Sequence, residues 1–294
     1  VGVLLLGGTT ASGKSDLAVR LALRHEAVIV SADAMTVYRG LSVGTAKPTM
    51  AERKGVPHFG IDVLEPNQVF DVAEFVALVD EVIEQHSNVI IVGGTTFWLS
   101  ALVRPLADLP PSDPEVRADL EALADPHNTL AGIDPCAAER LHPNDRVRIV
   151  RALEVHALTG RTQTELHRDG PRRQPIDATV AWMDRADVYE RINQRVEKMA
   201  KSGYLEETRA VLDGGFSPTI RPLRSFAYCS IVQHLGGEMD LQEALRRTAR
   251  DTRHYAKKQR TWARNLGWGE ASEEQIKELC NGVFGRPNVP GLPR

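Results

Sequence analysis

Val3-Leu4-Leu5-Leu6-Gly7-Gly8-Thr9-Thr10-Ala11-Ser12-Gly13-Lys14-Ser15 is the stretch that decides the fold. A short apolar run closed by glycine reads as a buried strand, and the eight residues from Gly8 follow the P-loop spacing G-x-x-x-x-G-K-S. Gly8 and Gly13, lacking Cβ atoms, let backbone N–H groups turn inward, Lys14 offers a point charge to phosphate oxygens, and Ser15 offers a hydroxyl to Mg²⁺. Leu17 and Leu21, one turn apart, begin a helix directly behind the loop. A polyphosphate held by Gly8, Thr9, Thr10, Ala11, Ser12, Gly13, Lys14 and Ser15 is therefore expected. A chance match to a Gly/Ser-rich turn would not bring the flanking strand and helix with it.

Outward from this loop, apolar runs alternate with helical patterns. Strands are expected over 27–30 and 89–92, with a helix over about 71–84, the order of a parallel, doubly wound α/β sheet with helices on both faces. At Leu109-Pro110-Pro111-Ser112-Asp113-Pro114 the texture changes to prolines and then to charged helical segments, and the next strand is not expected before Thr179-Val180-Ala181-Trp182. Residues 112–175 are thus read as a mostly helical insertion in a P-loop α/β core made of 1–111 and 176–294. The later part reads as helices broken at Asp213-Gly214-Gly215 and Gly236-Gly237.

With 294 residues, 42% of them hydrophobic, the chain can bury a full core. No apolar run approaches the length of a membrane span and the first strand begins at once, so a cytoplasmic protein is expected. Cys136, Cys229 and Cys280 are odd in number and widely spaced, which supports neither a disulfide framework nor a zinc site. The net charge of −3 does not announce a nucleic-acid partner, although it averages over faces.

Two strand ends carry the remaining chemistry. Most P-loop enzymes place a metal-binding carboxylate at the end of a second core strand, but here Val89-Ile90-Ile91-Val92 runs into Gly93-Gly94-Thr95. Two glycines and a hydroxyl suit close backbone approach and hydrogen bonding to a substrate, or simply a tight turn. The available carboxylate is Asp33, at the end of the 27–32 run, where the crevice of an open α/β sheet binds ligand; turn capping is the plainer reading. Beyond it come Thr36-Val37-Tyr38-Arg39-Gly40, Val43-Gly44-Thr45-Ala46-Lys47-Pro48, Gly55-Val56-Pro57-His58 and Ile61-Asp62.

These stretches resemble, in order, motifs of the tRNA dimethylallyltransferases: the phosphate loop, D-S-x-x-V-Y-R, I-G-T-A-K-P, P-H-x-x-I-D and G-G-T-x-x-Y. His142-Pro143-Asn144-Asp145 through Val155 and Thr252-Arg253 through Trp262 match two further family motifs. The resemblance implies that dimethylallyl diphosphate lies on the loop with Mg²⁺ on Ser15, and that its prenyl group moves to the exocyclic N6 of an adenine beside the tRNA anticodon. It implies Asp33 as general base, Thr95 as a hydroxyl near the reacting groups, and Asp33, Ala34, Met35 and Thr36 along the tRNA. Chemically this is sensible: a departing diphosphate needs cations, and a weakly nucleophilic amine needs a proton acceptor. The adenine would have to leave its stack, with Tyr38, Phe97 and Trp98 available to line its path.

Arg246, Arg250, Arg253, Lys257, Arg260 and Arg264 alternate by four and three residues, and Leu245, Thr248, Thr252, Tyr255, Trp262 and Leu266 are expected to form an adjoining buried stripe. Asp251 is the only carboxylate between Leu245 and Leu266, so Arg253, Lys257 and Arg260 are assigned to RNA phosphates. The resemblance adds Arg117, Arg148 and Arg151 of the insertion, whose plainer role is surface ion pairing. Departures from the family pattern are Ala34 for serine, Val147 for glutamine, and Arg224-Ser225-Phe226-Ala227-Tyr228-Cys229-Ser230 for R-x-x-G-Y-R-Q. Cys229 replaces a frequent cation, which shifts diphosphate binding onto Arg224. A monomer acting on tRNA is the leading expectation. The alternatives are prenyl transfer to a free adenine nucleotide or another small acceptor, a P-loop small-molecule kinase using ATP, and a non-catalytic RNA-binding relative.

Overall fold

The computed structural model describes residues 1–171 and 173–285. Two compact units emerge, one made of 1–103 and 177–294 and the other of 104–176. In the first unit β1 (Gly2–Gly8), α1 (Lys14–His25), β2 (Val28–Ser31), α2 (Met50–Arg53), β3 (His58–Phe59), α3 (Val72–Gln85), β4 (Asn88–Gly93) and α4 (Thr96–Val103) follow one another. The second unit holds α5 (Pro114–Glu121), α6 (Pro126–Ile133), α7 (Pro135–Arg140), α8 (Arg146–Thr159) and α9 (Gln163–Asp169). The chain then returns to the first with β5 (Thr179–Met183), α10 (Val188–Lys201), α11 (Tyr204–Asp213), α12 (Cys229–Leu235), α13 (Leu241–Asn265) and α14 (Glu273–Phe284).

Among the described residues the five strands are all parallel, in the order β3-β2-β4-β1-β5. Strand alternation sends Leu4 and Leu6 of β1 to one face, where they pack with Ile29, Ile90, Leu17, Leu21, Ile276 and Cys280 under α1 and α14. On the opposite side α3 and α4 contribute Phe75, Val79, Trp98 and Leu99, all buried. The strands are apolar throughout because both faces are covered. β1 lies centrally, so the loop leaving it opens between the ends of β4 and β5, where an α/β sheet of this kind binds ligands. The two-residue strand β3, at the sheet edge, is too short to show a periodicity in the sequence.

The second unit has its own small core, with Leu130, Ala137, Ala138, Ile149, Ala152 and Leu153. Two buried carboxylates tie its segments together. Glu154 accepts from Ser112 Oγ at 2.5 Å, Asp113 N at 2.8 Å and Arg151 Nη1 at 2.6 Å. Asp134 accepts from Ala137 N, Thr164 N and Thr164 Oγ1. Asp145 caps α8 by accepting from Arg148 N.

Candidate active site

The phosphate loop is set by contacts that reach far along the chain. Gly13, with φ 94°, takes the left-handed backbone that precedes α1, and Ala11 is also left-handed at φ 64°. Thr9 is fully buried, and its hydroxyl donates to Asp184 Oδ1 at 2.8 Å just beyond β5. Thr10 N donates to Gln259 Oε1 at 2.9 Å, and Gln259 Nε2 in turn donates to Gly94 O at 2.8 Å. A single α13 amide thus joins the loop to the end of β4. Ser12 Oγ is buried without a hydrogen-bond partner among the described residues. Ser15, at the start of α1, is exposed.

Lys14 Nζ donates to Thr9 O at 3.2 Å. Burial pushes its ammonium down from the usual 10.5 to about 8, the Asp33 charge opposes that shift, and Arg195 adds to it. Asp33 therefore lies within electrostatic reach of the loop cations. It sits two residues beyond β2, where Oδ1 accepts Met35 N at 2.9 Å and Oδ2 has no donor among the described residues. Thr95 Oγ1 accepts Ala34 N at 3.0 Å, and Thr95 N donates to Ala32 O at 3.1 Å, so the ends of β2 and β4 are stitched together. Tyr255 donates to Gly94 O at 3.0 Å beside them, and burial raises its phenol above the ordinary value, with the Asp33 charge second.

The structure gives the glycine pair a different reason from substrate access. A Cβ on Gly93 would lie 2.0 Å from Ala32 O, and one on Gly94 would lie 2.4 Å from Gln259 Nε2. Gly93 is required by the protein's own backbone, whereas the atom facing Gly94 is the tip of an α13 side chain.

The remaining expected site residues are dispersed. Ala34 and Met35 are half-buried around Asp33, while Thr36 is buried and shares a hydrogen bond with Ser31 at 2.9 Å. Tyr38 and Trp98 are core: Tyr38 is fully buried and Trp98 stacks on Phe75 at 4.8 Å, so neither lines a path for a base. Phe97 is exposed and meets Trp262 edge-on at 6.1 Å. Arg224 is exposed, and among the described residues no hydrogen bond or ion pair ties it to the phosphate loop.

On α13 the buried stripe differs from expectation. It consists of Ala244, Thr248, Ala249, Thr252, Ala256, Gln259 and Ala263, while Leu245, Tyr255 and Leu266 are half-buried and Trp262 is 39% exposed. Small side chains allow close approach to neighbouring helices, which a pattern built on large apolar residues overlooks. The cationic stripe is more neutralised than Asp251 alone implied. Glu243 pairs with Arg246 and Arg247, Asp251 with Arg250, and Asp184 with Arg260. Arg260 also stacks over the Tyr189 ring at 5.4 Å, and Arg253 donates to Asn193 Oδ1 at 2.5 Å. Lys257 and Arg264 remain exposed without a carboxylate partner among the described residues. In the second unit Arg117 pairs with Glu121 and Glu154, Arg151 with Glu154, and the exposed Arg148 with Asp145.

Arg191, Arg195, Asp184 and Gln259 were not among the expected residues. The visible signal for the first two is Arg191-Ile192-Asn193-Gln194-Arg195, with cations at i and i+4 flanking a buried isoleucine on a single helix face.

A phosphate loop, a strand-end carboxylate facing its cations and a hydroxyl just beyond the adjacent strand define a group-transfer enzyme of the P-loop α/β class. The IPP transferase family model matches residues 36–266, and the chain belongs to that family, the tRNA dimethylallyltransferases. The tRNA dimethylallyltransferase of Heliobacterium modesticaldum is 40% identical over 298 residues, covering 96% of this chain and 93% of the relative. Its counterpart tRNA dimethylallyltransferase 1 in Citrifermentans bemidjiense is 42% identical over 269 residues, 88% of each. Among solved structures, the tRNA isopentenylpyrophosphate transferase of Bacillus halodurans superposes with TM-score 0.67 at 33% identity, covering 97% of this chain and 96% of that one. A eukaryotic dimethylallyltransferase acting on tRNA shares the fold at TM-score 0.77 and 24% identity, covering 90% and 70%.

Proposed function

We propose that the protein transfers a dimethylallyl group from dimethylallyl diphosphate to the exocyclic N6 of an adenine beside the anticodon of tRNA. The observation that carries this reading is the opposition of Asp33, with one carboxylate oxygen free, to the half-buried Lys14 of the phosphate loop. In the reaction the allylic C–O bond breaks and its electron pair leaves with the diphosphate, while N6 forms the new C–N bond and loses its proton to Asp33 Oδ2. Lys14 and the inward N–H groups of the loop stabilise the charge gathering on the leaving group. Thr95 anchors the Asp33 segment through Ala34 N and presents its hydroxyl to the same crevice.

The residues present fit a magnesium ion. Ser15 is exposed at the start of α1 and offers a hydroxyl oxygen that would hold the ion beside the diphosphate. Bound there, Mg²⁺ would supply Lewis-acid stabilisation of the diphosphate.

RNA phosphates are assigned to exposed Lys257, to Arg253 and to the insertion arginines, Arg148 being the most open at 67% side-chain exposure. A contact by Arg117, Arg151 or Arg260 would compete with carboxylates already held. The segment Asp33 to Thr36 follows the same tRNA, and Arg224 is kept as a further diphosphate contact, reached only if its side chain swings to the loop. The domain boundaries at 112 and 175 are proposed as those of a tRNA-contacting insertion. The protein is proposed to act as a cytoplasmic monomer; no described helix is long and apolar enough to cross a membrane.

Incubation with labelled dimethylallyl diphosphate and total tRNA, followed by mapping of the modified nucleoside, tests the reading. Label on an anticodon-loop adenine is expected. Label on free adenine nucleotides alone, or ATP consumption without prenyl transfer, would overturn it.

A further inference from the structure

One carboxylate of α11 gathers the chain that follows Asp33. Glu207 accepts from three consecutive backbone groups, Ser42 N at 2.6 Å, Val43 N at 2.7 Å and Gly44 N at 3.0 Å, and from the Tyr228 hydroxyl at 2.6 Å. Successive N–H groups of this kind form an anion-binding nest, and here the protein's own side chain fills it. The fit is close, since a Cβ on Gly44 would lie 2.5 Å from the Tyr204 and Tyr228 rings. Both rings are fully buried and meet edge-on at 5.7 Å. Burial, with the Glu207 charge second, pushes the Tyr228 phenol well above its ordinary value, so it remains a donor that orients the carboxylate. From the nest a brace runs back to Asp33. The 42–47 turn closes through Ala46 N to Val43 O at 3.0 Å and Lys47 N to Ser42 O at 2.9 Å. Buried Lys47 then donates from Nζ to Tyr38 O at 2.6 Å and to Asp62 Oδ1 at 2.5 Å. Asp62 N donates to Thr36 O, and Thr36 Oγ1 donates to Asp33 O at 3.2 Å.

We propose that Glu207 is a positioning residue for prenyl transfer, acting through the 42–47 turn and Lys47 to set where Asp33 stands. This rests on the reading of Asp33 as the proton acceptor. A base must lie within hydrogen-bond reach of the proton it takes, and a misplacement of about 1 Å can cost about 10²-fold in rate. Glutamine at position 207 keeps the oxygen that meets Tyr228 but turns an NH₂ group onto the Ser42 and Val43 N–H groups. It therefore breaks the nest while leaving the phenol contact in place.

The test is the single-turnover rate of prenyl transfer at saturating tRNA, measured on the full chain and on Glu207→Gln, Glu207→Asp and the exposed neighbour change Glu206→Gln. Each rate is taken well below the variant's thermal midpoint and set beside its calorimetric affinity for inorganic pyrophosphate with Mg²⁺. Glu207→Gln is expected to lose about 10- to 100-fold in rate and to hold pyrophosphate within about twofold of the parent. Glu207→Asp, with the charge kept on a shorter stem, should recover part of the loss, and Glu206→Gln should match the parent. In an Asp33→Asn background, Glu207→Gln should cost less than about threefold, because no base is left to place. Should Glu207→Gln fail to fold, Glu207→Asp carries both comparisons. A parent-like rate in Glu207→Gln, an equal loss of pyrophosphate affinity, or an undiminished effect in the Asp33→Asn background would overturn the positioning role and leave Asp33 as the base. A parent-like rate in Asp33→Asn alone would remove the base itself, and the role of Glu207 with it.

Discussion

Asp33 and Lys14 meet as opposite charges for which we propose different duties, the first accepting a proton and the second holding an anion. Replacing Asp33 with Asn keeps the shape and the Met35 hydrogen bond but removes the base, so prenyl transfer to tRNA should fall by about 10²- to 10⁴-fold in single-turnover assays. Pyrophosphate affinity should not fall, since a carboxylate repels that ligand. Lys14 gives a pH signature of definite sign. In the free protein its ammonium is held near 8, and a bound diphosphate would restore the charged form. Affinity is therefore full below about pH 8 and declines above it, with proton uptake on binding visible in calorimetry across buffers of different ionisation enthalpy. Affinity that does not change from pH 7 to 10 would show that the Lys14 charge is not used. Legibility at this scale followed chemistry: Lys14, Ser15 and Asp33 stand in short local patterns, whereas Asp184 and Gln259 act through partners 175 and 249 residues away and leave no local trace.

Between elements, the close approach of β2, β4 and α13 is governed by the glycine pair. Gly93→Ala would push a methyl into the Ala32 carbonyl, and backbone cannot yield as a side-chain tip can. A loss of about 3 kcal/mol or more in urea unfolding is expected, against about 0.5 kcal/mol for an alanine at an exposed helical position. The parallel α/β class and the helix over about 71–84 could be read from periodicity. The face of α13 could not. Its buried side is alanine, threonine and glutamine, residues whose burial is set by what lies across the contact rather than by their own hydrophobicity. The same limitation hid Arg195, since an unpaired arginine on a helix looks like solvated surface until the loop is placed beside it.

For the whole molecule, the two units have different sensitivities. The unit of 104–176 is tied by Glu154 and Asp134, whose carboxyls are drawn below their usual values by the hydrogen bonds they accept, against an opposing desolvation that is the largest single effect. A depressed carboxylate stabilises the fold above its unfolded pKa and loses that contribution as pH falls through the folded one. Hydrogen exchange at mildly acid pH should show α8 and α9 opening before the sheet, and Glu154→Gln should bring that opening toward neutrality. Binding of tRNA should weaken with salt, and Lys257→Ala should lower the slope of log K against log salt by about one. An unchanged slope would remove α13 from the RNA contact. The bond from Thr10 to Gln259 also has a meaning in time, because it spans 249 residues. At about 5 to 20 residues per second, a ribosome needs roughly 12 to 50 s to travel from one partner to the other. Throughout that interval the nascent chain carries its phosphate-loop residues without the amide that joins them to β4, so the site stays unassembled until α13 has left the exit tunnel.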